Sequence, residues 1–144
     1  MAATLKSPQR SRLDEHLVAA GLYASRSRAR DAIGRGAVRI DGAVAVKAGQ
    51  PVSPASDISI DDPAIGYVSR AALKLIAGLD HFALDPAGCC ALDIGASTGG
   101  FTQVLLERGA GHVTAIDVGH GQMDERLRTD PRVTCLEGLN ARNL

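Results

Sequence analysis

The 144-residue chain balances 16 Lys and Arg against 16 Asp and Glu, so long-range charge alone names no partner. Its composition, 45% hydrophobic and 22% charged, is that of a globular protein, and no apolar run reaches the ~18 residues of a membrane helix. Met1–Arg12 is basic but lacks the ~7–15-residue apolar core of a secretory signal, which predicts a cytoplasmic setting. Cys89, Cys90 and Cys135 form no C-x-x-C pair, and their odd number points to reduced thiols in a core rather than a disulfide framework or a metal site. The charge is split along the chain: residues 1–60 hold nine basic and five acidic side chains, whereas the remaining 84 hold seven and eleven. Opposite surpluses predict two domains that touch different things.

In the first domain, residues 1–60, Leu13, Leu17, Val18 and Leu22 fall at helical spacing behind Arg12-Leu13-Asp14 and before the turn around Gly21. Ser25 is placed to cap a second helix, Arg26–Arg35, whose Ala29, Ala32 and Ile33 face a core while Arg26, Arg28, Arg30 and Arg35 stay in solvent. Val38–Ile40 and Ala43–Val46 flank Asp41-Gly42, a pair that supplies the positive φ of a tight hairpin, and Ile58 and Ile60 predict a closing strand. The proline-interrupted stretch at residues 61–67 is expected to be a linker.

Within residues 68–144 the pattern changes period after Pro86. Ser69 is a plausible cap for a helix through Lys74 to about Leu79. Cys89–Ile94 is an apolar run expected to be a strand buried on both faces, delivered into Gly95-Ala96-Ser97-Thr98-Gly99-Gly100 and a helix carrying Phe101, Val104, Leu105 and Leu106. A strand ending at Asp117, a helix within 121–128 and a strand at Val133–Leu136 complete a β-α-β-α-β pattern with parallel neighbours. The fold class is α/β.

Three chemistries compete for the glycine turn. A dinucleotide fingerprint fails at Ser97, where close approach to a pyrophosphate wants glycine. A hydrolase elbow matches Gly95-Ala96-Ser97-Thr98-Gly99 formally, but it follows the first strand of its sheet and only His112 and His120 come later. The third is a nucleoside cofactor without a phosphate, S-adenosylmethionine. Gly95 turns the chain beneath such a ligand, Gly99 and Gly100 permit backbone approach, Asp93 stands at a strand end, and Asp117, 22 residues beyond Gly95, can accept from both ribose hydroxyls. The bland alternative is that both acids merely end strands.

Tyr67-Val68-Ser69-Arg70-Ala71-Ala72-Leu73-Lys74-Leu75, followed by Ala91–Thr102, resembles the FtsJ-type ribose methyltransferases, and within them the TlyA group. Arg12-Leu13-Asp14, Ser25-Arg26-Ser27-Arg28 and Gly36–Gly42 resemble the RNA-binding module of the ribosomal-protein S-four type that precedes the methyltransferase domain in that group. The resemblance implies a small α+β RNA-binding domain followed by the first half of a Rossmann-like methyltransferase domain. It implies 2′-O-methylation of cytidine ribose in ribosomal RNA or ribosomal subunits, with S-adenosylmethionine as cofactor. It also implies a historical haemolysin label, from which pore formation is discounted because nothing in the sequence spans a membrane.

Residue by residue, the resemblance makes Lys74 the catalytic lysine that orients and deprotonates the 2′ hydroxyl. It assigns Asp93, Gly95, Ala96, Ser97, Thr98, Gly99, Gly100 and Phe101 to the cofactor loop, Asp117 to the cofactor ribose and Asn140 to the adenine edge. Arg12, Arg26, Ser27, Arg28, Arg30 and Arg35 are the RNA-facing residues, contacting phosphate and A-form shape rather than base edges. The family's remaining catalytic Asp, Lys and Glu would lie on later strands, so the chain is expected to be a fragment, with its first strand left as an open sheet edge. A binding module without catalysis is the competing reading.

Overall fold

The computed structural model describes residues 10–144; the reading of Met1–Arg12 falls, through Gln9, outside them. The chain divides into two compact units, meeting between Ile65 and Gly66.

In the first unit, helix α1 (Leu13–Ala19) and helix α2 (Arg26–Gly34) pack on short antiparallel strands. Ser25 caps α2 as its type predicts, its hydroxyl accepting the Arg28 amide at 3.3 Å. Strands β2 (Val38–Ile40) and β3 (Ala43–Val44) are joined by Asp41 and Gly42, both at positive φ (50° and 81°), the requirement of the two-residue turn that matches strand twist. β5 (Ile58–Ile60) closes the sheet in the order β3-β2-β5. A second ladder joins β1 (Ser11–Arg12) to β4 (Pro51–Val52), a pairing too short to leave a sequence period. Leu13, Leu17, Ala29, Ala32, Ile33, Val38 and Val52 form the core.

The stretch expected to be a linker begins inside this unit. Asp62 is buried, accepting the Tyr23 hydroxyl at 2.9 Å and pairing with Arg35 at 3.1 Å, because a carboxylate that leaves water needs such partners.

In the second unit, α3 (Ala71–His81) packs on α4 (Gly100–Glu107) through Ala72, Leu79 and Val104. Ser69 lies one residue before the helix-flanking Arg70, and its hydroxyl accepts the Ala71 amide at 3.1 Å. Strands β6 (Cys90–Ile94), β7 (His112–Ile116) and β8 (Val133–Leu136) are parallel in the order β6-β7-β8, with α5 (Glu125–Arg128) preceding β8. The core of α4, α5 and the sheet gathers on one face, around Leu106, Val113, Ala115 and Leu127, since right-handed crossovers running one way along a sheet put their helices on one side.

The strand expected to be buried on both faces is therefore not. Leu92 and Ile94 are 53% and 60% exposed, and Leu136, in register through Ile116, is 39% exposed. The thiols expected in a core are not there: Cys89 and Cys90, at the start of the edge strand β6, are exposed, Cys135 on β8 is half-buried, and all three are free. Among the described residues no helix is long and apolar enough to cross a membrane.

Candidate functional site

The carboxyl ends of β6 and β7 bring the glycine turn against Asp117. Gly95 leaves β6 at φ +77°, its amide and that of Ala96 donating to the Ile116 carbonyl at 2.8 and 3.1 Å. A side chain at Gly95 would meet no atom within 4 Å, so this position opens on free space. Ser97 adopts φ +51°, a left-handed conformation uncommon outside glycine, and its amide donates to Asp117 Oδ2 at 2.7 Å. The Gly119 amide donates to Oδ1, also at 2.7 Å. The bonds from Gly119 and then Ser97 hold the Asp117 carboxyl below the usual carboxylate range, against the opposing effect of burial. Each oxygen keeps acceptor capacity for one further donor.

Beside this acid lies a cavity of about 180 Å³ lined by Ile94, Gly95, Ile116, Asp117, Leu139 and Asn140, among others. Its walls are apolar, with a carboxylate at one side and the Asn140 amide at another. The Asn140 carbonyl oxygen accepts the Arg142 amide at 3.0 Å, which leaves the side-chain NH₂ as donor. Leu139 and Ile116 were missed by sequence reasoning; the only signal was their place just beyond or at a strand end.

Several residues expected at the ligand face elsewhere. Asp93 is buried and accepts the Thr102 hydroxyl at 2.7 Å, since strand alternation turns it beneath α4. Ala96 is buried in the core. A Cβ on Gly99 would lie 2.5 Å from Leu127 Cδ1, and one on Gly100 2.9 Å from Ser69 Cβ, so the missing side chains of these glycines make room for Leu127 and Ser69. Thr98 contributes its carbonyl to the Asp124 amide. Phe101 lines a separate groove of about 360 Å³ with Leu75, Leu92, Asp93, Ile94 and Leu105. Lys74 is exposed on α3, without an ion pair or side-chain hydrogen bond among the described residues.

In the first unit the arginines are organised by acids. Asp14 is fully buried and accepts from Arg12 at 3.1 Å, Arg26 at 3.1 Å and Arg30 at 2.9 Å. Burial alone would raise its carboxyl, but the hydrogen bonds of Arg12, Arg30 and Arg26 outweigh it and hold the group well below the usual range. Arg35, expected in solvent, is taken up by Asp31 at 3.0 Å and Asp62. Ser27 is exposed on α2, and Arg28 is half-buried one residue further along.

Comparison with known proteins matches residues 67–144 to the FtsJ-like methyltransferase family and residues 11–58 to the S4 domain. The chain is 52% identical over 137 residues to the 16S/23S rRNA (cytidine-2′-O)-methyltransferase TlyA of Mycobacterium tuberculosis, covering 94% of this chain and 51% of that protein. It is 41% identical over 133 residues to Hemolysin A of Brachyspira hyodysenteriae, covering 92% and 55%. A solved structure described as a hemolysin from Streptococcus thermophilus superimposes with a TM-score of 0.61 at 35% identity, over 96% of this chain and 51% of that one. The chain thus spans about half the length of the curated relatives it matches.

Proposed function

Because the chain belongs to the FtsJ-like methyltransferase family, we propose that its second unit seats S-adenosylmethionine and its first unit holds ribosomal RNA, the two binding functions that 2′-O-methylation of a cytidine ribose requires. The observation that carries the reading is the closure of the Gly95–Ser97 turn by Asp117 in front of an apolar cavity. The residues present fit the nucleoside half of the cofactor. The cavity is smaller than the ~300–1,000 Å³ of whole-ligand pockets, apolar where an adenine would lie, and bounded by a carboxylate that can accept ribose hydroxyls. When bound, the cofactor supplies an electrophilic methyl group.

Gly95 gives the ligand room that a side chain would fill, and Asn140 offers an amide donor to a ring nitrogen. Lys74, exposed on α3, has the reach and hydrogen-bonding head to orient an acceptor hydroxyl. Tyr23, the one Phe, Tyr or Trp in residues 1–60, is buried, which suits a shape-and-phosphate reader of folded RNA. A ribosomal substrate would place the protein in the cytoplasm. Calorimetric titration with S-adenosylmethionine tests the seat: one saturable site is expected, and no heat up to millimolar ligand would sink it.

A further inference from the structure

Asp14 has no solvent exposure, yet three guanidinium groups from separate points of the chain converge on it. Arg12 precedes α1, Arg26 opens α2 and Arg30 follows one turn later. They are not equivalent in what they have left to offer. Arg26 is committed through all three nitrogens, Nε and Nη2 to Asp14 and Nη1 to Glu15 at 3.2 Å. Arg12 gives Nε and Nη2 to Asp14. Its guanidinium also occupies the space a side chain at residue 49 would need, since a Cβ on Gly49 would lie 2.9 Å from Nη1 and 3.0 Å from Nη2. Arg30 gives Asp14 only Nε, at 2.9 Å, and its side chain is 52% exposed. Among the described residues both of its terminal amino groups are left as a planar fork of N–H donors, the shape that grips a phosphate through two hydrogen bonds. Three cations against the carboxylates of Asp14 and Glu15 keep the cluster positive.

We infer that Arg30 is the phosphate-binding residue of this face and that Asp14 is its positioning residue, with Arg12 and Arg26 as the other two guanidinium partners of Asp14. This rests on the RNA reading of the first unit and deepens it. A guanidinium fixed in advance forfeits less side-chain freedom when it meets a ligand. The same arrangement removes Arg35 from the contact surface, since Asp31 and Asp62 already hold it.

The test is anisotropy of a fluorescein-labelled RNA hairpin with the full chain over a salt series. Arg30→Gln is expected to weaken binding roughly tenfold and to flatten the log-affinity slope by about 0.7–0.9. Arg30→Lys keeps the charge but not the fork, so the slope should persist while affinity still falls several-fold. Asp14→Asn makes the protein more positive; simple attraction would tighten binding, whereas loss of positioning weakens it. A folded Asp14→Asn chain that binds more tightly overturns the positioning role. Should that variant unfold by circular dichroism, the two Arg30 variants decide: RNA binding indifferent to both overturns the assignment. A wild-type chain that shows no salt-dependent RNA binding overturns the RNA reading itself.

Discussion

The Asp117 carboxylate, at the end of β7, holds the amide of Ser97 at 2.7 Å and so fixes the glycine turn of one strand to the end of the next. This bond keeps a non-glycine residue at φ +51°, a conformation that costs of order 1–3 kcal/mol when unsupported.

Asp117→Ala therefore removes two things at once, an acceptor for the cofactor ribose and the clasp of the turn. S-adenosylmethionine binding should weaken by about 1–3 kcal/mol, the scale of hydrogen bonds to a charged group. Asp117→Asn should recover part of the loss, because its amide oxygen still accepts one backbone N–H. Unchanged affinity in the alanine variant would remove Asp117 from the site.

Gly95→Ala and Gly99→Ala should separate ligand space from packing space. Both positions have positive φ, at 77° and 98°, so each alanine carries roughly 1–2 kcal/mol of left-handed strain. Only at Gly99 does the new methyl meet a neighbour, Leu127, which adds an overpacking cost of about 1–3 kcal/mol. Thermal melts should show Gly99→Ala as the less stable variant, and calorimetry should show Gly95→Ala as the one that loses cofactor out of proportion to stability. Equal melting temperatures would refute the packing assignment of Gly99.

The Tyr23–Asp62–Arg35 network makes the first unit sensitive to pH at both ends. Burial works to raise the Asp62 carboxyl, but hydrogen bonds from Arg35, the Ala64 amide and Tyr23 hold it below its ordinary range. Burial, then Asp62, push the Tyr23 phenol well above its ordinary range. A depressed carboxylate stabilises above its unfolded pKa of about 4 and loses that contribution as pH falls through the lower folded value. A raised phenol stabilises fully below about 10 and loses its contribution as pH climbs toward the folded value. Urea melts should thus show a plateau falling on both sides, with Tyr23→Phe costing about 1–3 kcal/mol and shrinking the alkaline decline. An alkaline limb untouched by Tyr23→Phe would contradict this.

What was legible in the sequence was local. Ser25 and its cap, Asp41-Gly42 and its hairpin, and the β-α-β-α-β alternation each follow from residues a few positions apart. What was not legible depends on which way a side chain turns or what stands opposite. Asp93 reads as a strand-end acid, and only the pleat shows that it is buried against Thr102. Gly99 and Gly100 read as ligand glycines, and only the approach of Leu127 and Ser69 shows what their missing side chains admit. Asp14 meets arginines 12 and 16 residues away across a helix, a turn and a second helix, a spacing no periodicity encodes.

Methyl transfer is the demanding case. It requires cofactor, acceptor hydroxyl and acid–base assistance held together, and such assistance typically supplies ~10² to 10⁴ in rate. In this chain Lys74 has no ion-pair partner among the described residues, and the cavity beside Asp117, at about 180 Å³, is smaller than the ~300–1,000 Å³ of a whole-ligand pocket. Among the described residues β6 also pairs with no strand on its outer edge, and its own Leu92 and Ile94 are largely exposed, so that side of the site is open. The 144-residue chain should therefore bind cofactor and RNA separately while moving methyl groups no faster than background. Tritium transfer from labelled S-adenosylmethionine to ribosomal subunits measures this directly. Robust incorporation, lost in Lys74→Ala, would mean that one lysine on α3 suffices for the reaction.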